Sequence, residues 1–169
     1  MNKEGPIGIF DSGIGGLTVA REISKILPNE QIIYFGDTAH FPYGDKAAYS
    51  IKHYSSLISK FLLSKNCKSI VIACNTASSV ASKPLQKILP VDFPLINVID
   101  PVADHIAKSN ANKKIGVIAT KGTIGSRIYP NSIKNINKNI EVVSLATPLL
   151  APMIEEGFFN NTISSTVIA

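Results

Sequence analysis

The chain has 169 residues, of which 45% are hydrophobic and 17% charged, a composition that favours a well-buried globular fold and argues against intrinsic disorder. Its net charge of +5 comes from 17 Lys and Arg against 12 Asp and Glu, but these basic residues are scattered, and the longest basic run is Lys113-Lys114. Scattered charge argues against a nucleic-acid partner, because a nucleic-acid-binding surface gathers its cations on one face.

The N-terminal residues and the cysteines predict where the protein works. Residues 1–5 lack the apolar stretch of a signal peptide, and the longest apolar runs have the length of strands rather than of membrane helices. Cys67 and Cys74 make no disulfide framework and match no zinc signature. We therefore expect a protein that is neither exported nor inserted in a membrane, and that works in the reducing cytoplasm.

Short runs rich in Ile and Val predict six β-strands along the chain. In chain order they are residues 7–10, 32–35, 70–73, 95–99, 115–119 and 142–145. Residues 16–27 and 47–64 between them have the apolar spacing of helices. This alternation predicts a doubly wound α/β fold, in which helices cover both faces of a parallel sheet.

The prolines of residues 84–94 (Pro84, Pro90 and Pro94) interrupt the pattern and predict a boundary between two lobes near Asn97. The first lobe would comprise residues 1–97 and the second residues 98–169. Residues 161–169 resemble the opening of a helix that stops in mid-pattern. We therefore expect a fragment, with a short final helix as the alternative.

Polar residues follow most of the predicted strands, where ligands of open parallel sheets bind. The clusters are Asp11-Ser12-Gly13, Gly36-Asp37, Cys74-Asn75-Thr76, Asp100 and Thr120. Each could instead cap the following helix. Capping does not account for Cys74, which is either a small core residue or a reactive thiol whose pKa the helix N-terminus lowers. Cys67 precedes the same strand, at its opposite end, and is expected to be structural.

The run Gly13-Ile14-Gly15-Gly16 allows a backbone to approach an anion at a helix N-terminus. Thr18 stands where a dinucleotide fingerprint needs glycine, and the P-loop lysine is missing. A tight turn therefore explains the run equally well, although the loop can hold a carboxylate. The three histidines are dispersed and the acidic residues form no cluster, so no metal site is predicted.

Four strings of the sequence together resemble motifs of the glutamate racemases, in the same order and at similar separations. They are Gly8-Ile9-Phe10-Asp11-Ser12-Gly13-Ile14-Gly15-Gly16-Leu17-Thr18-Val19, Tyr34-Phe35-Gly36-Asp37, Pro42-Tyr43-Gly44 and Ile72-Ala73-Cys74-Asn75-Thr76-Ala77-Ser78. The resemblance implies two similar flavodoxin-like lobes with the active site between them. It also implies a cofactor-independent isomerase that interconverts L- and D-glutamate with two thiols and supplies D-glutamate for peptidoglycan.

Residue by residue, the resemblance makes Cys74 one of two catalytic thiols and Asp11 a carboxylate that assists proton transfer. Glu155 resembles a family acid that affects catalysis. The residues implied to bind the ammonium and carboxylate groups of the substrate are Ser12, Pro42, Tyr43, Gly44, Asn75, Thr76, Thr120 and Thr123. Glutamate is the implied partner, no metal or cofactor is implied, and a homodimer is compatible with the resemblance.

The family pattern also contains a second cysteine, in a Gly-Cys-Thr-His-Tyr-Pro-like motif that would fall after Ala169. In the family, later chain also completes the first lobe, so the resemblance implies that the second lobe and the end of the first are incomplete here. We therefore expect that the sequence is truncated or that this copy has lost half its site, and that the chain alone is inactive. Racemisation needs a base and an acid on opposite faces of the α-carbon. Two alternatives stay open: a racemase of aspartate or another amino acid, and a non-catalytic α/β module that binds a small anion.

Overall fold

A computed structural model describes residues 4–109, 114–158 and 162–168, which contain two parallel sheets. The first sheet consists of β1 (Ile7–Asp11), β2 (Ile32–Gly36), β3 (Ser69–Ile72) and β4 (Leu95–Asn97), in the order β2-β1-β3-β4. The second pairs β5 (Lys114–Ala119) with β6 (Glu141–Ala146). All six predicted strands are therefore confirmed.

Helices connect the strands throughout the described residues. They are α1 (Leu17–Ile26), α2 (Ala48–Ser64), α3 (Asn75–Ile88), α4 (Asp100–Lys108), α5 (Lys121–Ser126), α6 (Ile128–Ile136), α7 (Leu150–Glu155) and α8 (Thr162–Ile168), with a short 3-10 helix at Thr38–His40. The two helices predicted at residues 16–27 and 47–64 correspond to α1 and α2. Residues 161 and 169 of the predicted final helix lie outside the described residues.

The first sheet buries both of its faces, because apolar side chains alternate along its strands. On one face Ile7, Ile9 and Val71 pack against apolar residues of α1. On the other face Phe10, Ile70 and Ile72 pack against α2 and α3. The doubly wound α/β prediction is confirmed.

The second sheet is covered on one face, where α4 and α6 contribute Ala103 and Ile133 to a core with Ile140. Ile118 of β5 and Leu145 of β6, which lie opposite each other in the strand register, are largely exposed. The change from one sheet to the other falls between β4 and β5. The division into residues 1–97 and 98–169 stays a prediction.

Two details of the predicted pattern are wrong. Pro84 does not interrupt the chain but lies inside α3, which continues because Ala81 and Leu85 on either side of it are buried in the core. The fourth strand ends at Asn97 rather than at residue 99. The Asn97 side chain accepts hydrogen bonds from the backbone N–H groups of Ile99 and Asp100 at 2.9 Å, and so turns the chain into α4.

Candidate active site

A cleft of about 310 Å³ opens at the carboxyl ends of β1 and β3 and is closed on its far side by residues after β5 and β6. This is the edge at which parallel sheets bind ligands. The predicted site residues that line it are Asp11, Ser12, Pro42, Tyr43, Gly44, Cys74, Asn75, Thr76, Thr120 and Glu155. The fold thus brings together residues that are far apart in the sequence.

Asp11, the last residue of β1, is buried and is held by the glycine-rich turn that follows it. Its Oδ2 accepts hydrogen bonds from the backbone N–H groups of Gly13 at 3.1 Å and Gly16 at 3.0 Å. A Cβ atom at Gly16 would lie 2.6 Å from the Cβ of Asp11, so the turn needs glycine for close approach. The glycine run therefore holds a carboxylate of the protein itself.

Cys74 occupies the cap position before α3, where its Sγ accepts a hydrogen bond from the backbone N–H of Ala77 at 3.4 Å. The buried thiol donates to the Ser12 hydroxyl at 3.5 Å. Burial, followed by the negative charge of Asp11, raises the pKa of the Cys74 thiol to about 11, against the opposite effect of its bonds to Ser12 and Ala77. The N-terminus of α3 does lower this pKa through the Ala77 N–H, but desolvation outweighs it, so the net shift is upward.

Three threonine hydroxyl groups connect the two sheets across the cleft. Thr76 Oγ1 lies 2.9 Å from Thr120 Oγ1, and the Thr120 hydroxyl donates to Thr123 Oγ1 at 3.2 Å. Thr120 also caps α5, because its side chain accepts from the backbone N–H of Thr123. Thr123 is buried and lines a neighbouring cavity rather than the cleft.

Asn75, the first residue of α3, lies on the surface of the cleft and is held from the other side. Tyr129 of α6 donates a hydrogen bond from its hydroxyl to Asn75 Oδ1 at 2.8 Å. This bond occupies the amide oxygen. The Asn75 NH₂ group therefore remains the amide donor for a ligand carboxylate.

Glu155, at the end of α7, brings a second carboxylate to the glycine-rich turn. Its oxygens lie about 3.5 Å from the positions that Cβ atoms at Gly13 and Gly15 would occupy. Burial, then the charges of Asp11 and Glu156, raises the pKa of the Glu155 carboxyl. A second acid thus approaches the Asp11 side of the cleft, supplied by the element that follows the second sheet.

Comparison with known proteins agrees with this geometry. The family model for Asp/Glu/Hydantoin racemase matches residues 7–161. The chain belongs to this family. A curated relative, the glutamate racemase of Geobacter metallireducens, is 48% identical over 158 residues, which cover 94% of this chain and 58% of that protein. The glutamate racemase of Sulfurihydrogenibium sp. is 46% identical over 164 residues, which cover 96% of this chain and 62% of that protein.

A solved structure gives the same fold. The glutamate racemase of Francisella tularensis in complex with D-glutamate superimposes with a TM-score of 0.90 at 44% identity, over 97% of this chain and 61% of that one. This racemase-family chain thus spans about three fifths of the length of the relatives that it matches.

Several residues of the racemase-family cleft were not found from the sequence. Val98, Pro148, Ala151 and Pro152 line it, and nothing in their local pattern distinguishes them from ordinary loop and helix residues. Asp37 does not line the cleft but holds Tyr43, which itself forms part of the wall. Its position after β2 was the signal that could have revealed this role.

Other candidate residues lie away from the cleft. Asp100 is exposed and accepts a hydrogen bond from the Asn97 amide instead of facing a ligand. Cys67, which precedes β3, is buried, and its Sγ packs close to the backbone of Gly8. This is the environment expected of a structural residue. Among the described residues no group of three His, Cys, Asp or Glu side chains has a metal-binding arrangement. Nor does any helix in the described ranges have the length and apolar character of a membrane span.

Proposed function

We propose that this chain forms the Cys74 half of a cofactor-independent glutamate racemase site. The observation that carries the proposal is the buried Cys74 thiol, which caps α3 and is bonded to Ser12, in a cleft between the ends of the two sheets. The substrate class comes from the similarity to the Francisella tularensis glutamate racemase, which was solved with D-glutamate.

The proton chemistry follows from the state of the thiol. With a pKa of about 11, Cys74 is protonated near neutral pH and is ready to donate a proton to one face of a glutamate carbanion. In the reverse direction the thiol must lose its proton. The substrate ammonium group, placed between Cys74 and Asp11, would favour the thiolate because opposite charges stabilise each other.

Substrate binding is assigned to the polar groups of the cleft wall. Ser12, Thr76 and Thr120 supply hydroxyls, and Asn75 supplies an amide donor, for the two carboxylates. Asp11 would accept from the ammonium group. Pro42, Tyr43 and Gly44 contribute a loop wall.

Glu155 and Thr123 have narrower proposed roles. The raised pKa of Glu155 suits an acid that exchanges a proton near the substrate amine. Thr123 would orient Thr120 rather than contact the substrate, because it lies outside the cleft wall.

Racemisation requires a second group on the opposite face of the α-carbon, which acts as the base when Cys74 is the acid and as the acid when Cys74 is the base. Cys67, the other cysteine of the chain, cannot serve because it lies before β3, whereas Cys74 follows that strand. We propose that a further thiol completes the site in the active enzyme, a homodimeric cytoplasmic protein that supplies D-glutamate for peptidoglycan.

Alkylation of Cys74 tests the binding part of this proposal. The 169-residue chain is treated with iodoacetamide in the presence of L-glutamate, D-glutamate, L-aspartate or buffer, and modification at Cys74 is followed by peptide mass spectrometry. Protection by both glutamate enantiomers supports the proposal. Protection by aspartate alone would replace glutamate with aspartate as the substrate, and equal rates in all samples would contradict a glutamate site.

A chimera tests catalysis. Residues 7–161 replace the matching segment of the Geobacter metallireducens glutamate racemase, and racemisation is followed by circular dichroism. Turnover that disappears with Cys74→Ala supports the assignment of this thiol, and unchanged turnover in that variant would refute it.

A further inference from the structure

A buried carboxylate outside the cleft holds the loop that forms one of its walls. Asp37, which follows β2, is buried and accepts a hydrogen bond from the Tyr43 hydroxyl at 2.6 Å. Its other oxygen lies 2.8 Å from Nδ1 of His40, whose ring stacks on Tyr54 at 3.9 Å between centroids. Both carboxylate oxygens of Asp37 are thus engaged by residues of the 38–43 segment.

The side chain of Tyr43 is an anchor rather than a substrate ligand. It is 1% exposed and belongs to the apolar cluster between the first sheet, α2 and α3. Burial, then the hydrogen bond to Asp37, raises the pKa of the Tyr43 hydroxyl, so this group remains a donor. Asp37 can therefore fix the backbone on either side of Tyr43 through one short bond.

The anchored backbone leads directly to a contact between the lobes. The Gly44 carbonyl accepts a hydrogen bond from the backbone N–H of Gly122 in α5 at 3.1 Å. A Cβ atom at Gly44 would lie 2.8 Å from the Thr120 side chain, so the backbone of the loop packs directly against Thr120. A small shift of Tyr43 would therefore break the Gly44–Gly122 bond or displace Thr120.

We propose that Asp37 is a positioning residue: through Tyr43 it sets Gly44 against Gly122 and Thr120, and thereby fixes the width of the substrate cleft. The inference rests on the proposed function only for its effect on glutamate. Tyr43 then contributes to the cleft through its backbone, and its hydroxyl acts by way of Asp37.

Amide hydrogen exchange at Gly122 reports this positioning without any substrate. Gly122 is the second residue of α5, where backbone N–H groups have no acceptor within the helix, so its protection depends on Gly44. Tyr43→Phe removes the Tyr43–Asp37 hydrogen bond and is expected to speed Gly122 exchange by about tenfold. Asp37→Asn replaces a charge-assisted bond by a weaker neutral one and should speed Gly122 exchange by a smaller factor. Exchange at Ala73, bonded to Phe10 within the first sheet at 2.8 Å, should stay within about twofold.

Matched control variants make the same chemical changes at exposed positions. Asp92→Asn makes the same charge change at an exposed loop position, and Tyr49→Phe removes a hydroxyl from an exposed ring. Both should leave Gly122 exchange unchanged. Because Asp37→Asn and Tyr43→Phe act on the same bond, the double variant should exchange at nearly the rate of Tyr43→Phe alone.

Glutamate affinity is then measured by ligand-observed NMR on the same proteins. We expect the Kd for D-glutamate to rise about tenfold in Tyr43→Phe, to rise by a smaller factor in Asp37→Asn, and to stay unchanged in the controls. If the wild-type chain binds no glutamate, the proposed function fails, while Gly122 exchange still decides the positioning claim. Unchanged Gly122 exchange in folded Tyr43→Phe, or an equal rise at Ala73, would overturn that claim even if Asp37→Asn does not fold.

Discussion

Replacing Asp11 by Asn is expected to make the Cys74 thiol more reactive toward alkylation. Asp11 is the second largest cause, after burial, of the raised pKa of Cys74, because its negative charge opposes formation of a nearby thiolate. Asparagine keeps an oxygen that can accept from Gly13 and Gly16, so the turn should survive while the charge is lost. Asp11→Asn should therefore lower the pKa of the Cys74 thiol.

The rise of the Cys74 pKa above its ordinary value limits how far Asp11→Asn can lower it. The pKa of Cys74 is raised from an ordinary value of 9.0 to about 11, and burial is the main cause. Removal of the Asp11 charge should therefore reverse only part of the elevation, so the thiolate fraction at pH 8 should rise by less than the roughly hundredfold that full reversal would give. Burial remains in the variant, so the pKa should stay above that of an exposed thiol.

The assay is the rate of iodoacetamide incorporation at Cys74 between pH 7 and pH 10, measured by mass spectrometry. Both proteins should show a rate that rises about tenfold per pH unit below the pKa, with the variant curve displaced to lower pH. Steric access contributes equally to both rates and cancels in their ratio. An unchanged or slower rate at pH 8 in folded Asp11→Asn would refute the electrostatic reasoning, and Asp92→Asn serves as the charge control.

Further predictions concern the thiols, catalysis and the glycine turn. In the racemase chimera, Cys74→Ala should abolish turnover in both directions, whereas Cys67→Ala should leave it nearly intact; loss of activity in folded Cys67→Ala would contradict the assignment. Asp11→Asn should lower kcat more than it raises KM, since a role in proton transfer is expressed in the transition state, and a change in KM alone would make Asp11 a binding residue. The 169-residue chain alone should not convert either glutamate enantiomer into the other, as followed by circular dichroism, because one thiol serves only one face of the α-carbon; efficient conversion would disprove this. Gly16→Ala should cost about 1–3 kcal/mol in urea unfolding because its Cβ would overlap Asp11, whereas Gly125→Ala, which meets no atom within 4 Å, should cost nothing; equal stability of the two variants would refute the packing argument.

Much of the fold could be predicted because its signals are local. Apolar runs recur at the pitch of alternating strands and helices, and all six strands were located from them. The errors arose where side chains override local preference. Pro84 remains helical because its neighbours in α3 are buried, and Asn97 ends β4 by capping its own backbone.

The sequence by itself determined the strand order along the chain, the motif strings and the identity of the thiol that ends β3. Tertiary structure decided which polar residues share a cleft, that Tyr43 faces inward to Asp37, and that Thr123 stands outside the cleft wall. It also decided the balance at Cys74, where burial outweighs the lowering effect of the α3 N-terminus and the pKa rises. The physical reason is that a helix terminus can be recognised from neighbouring residues, whereas desolvation depends on atoms that distant segments bring around the thiol.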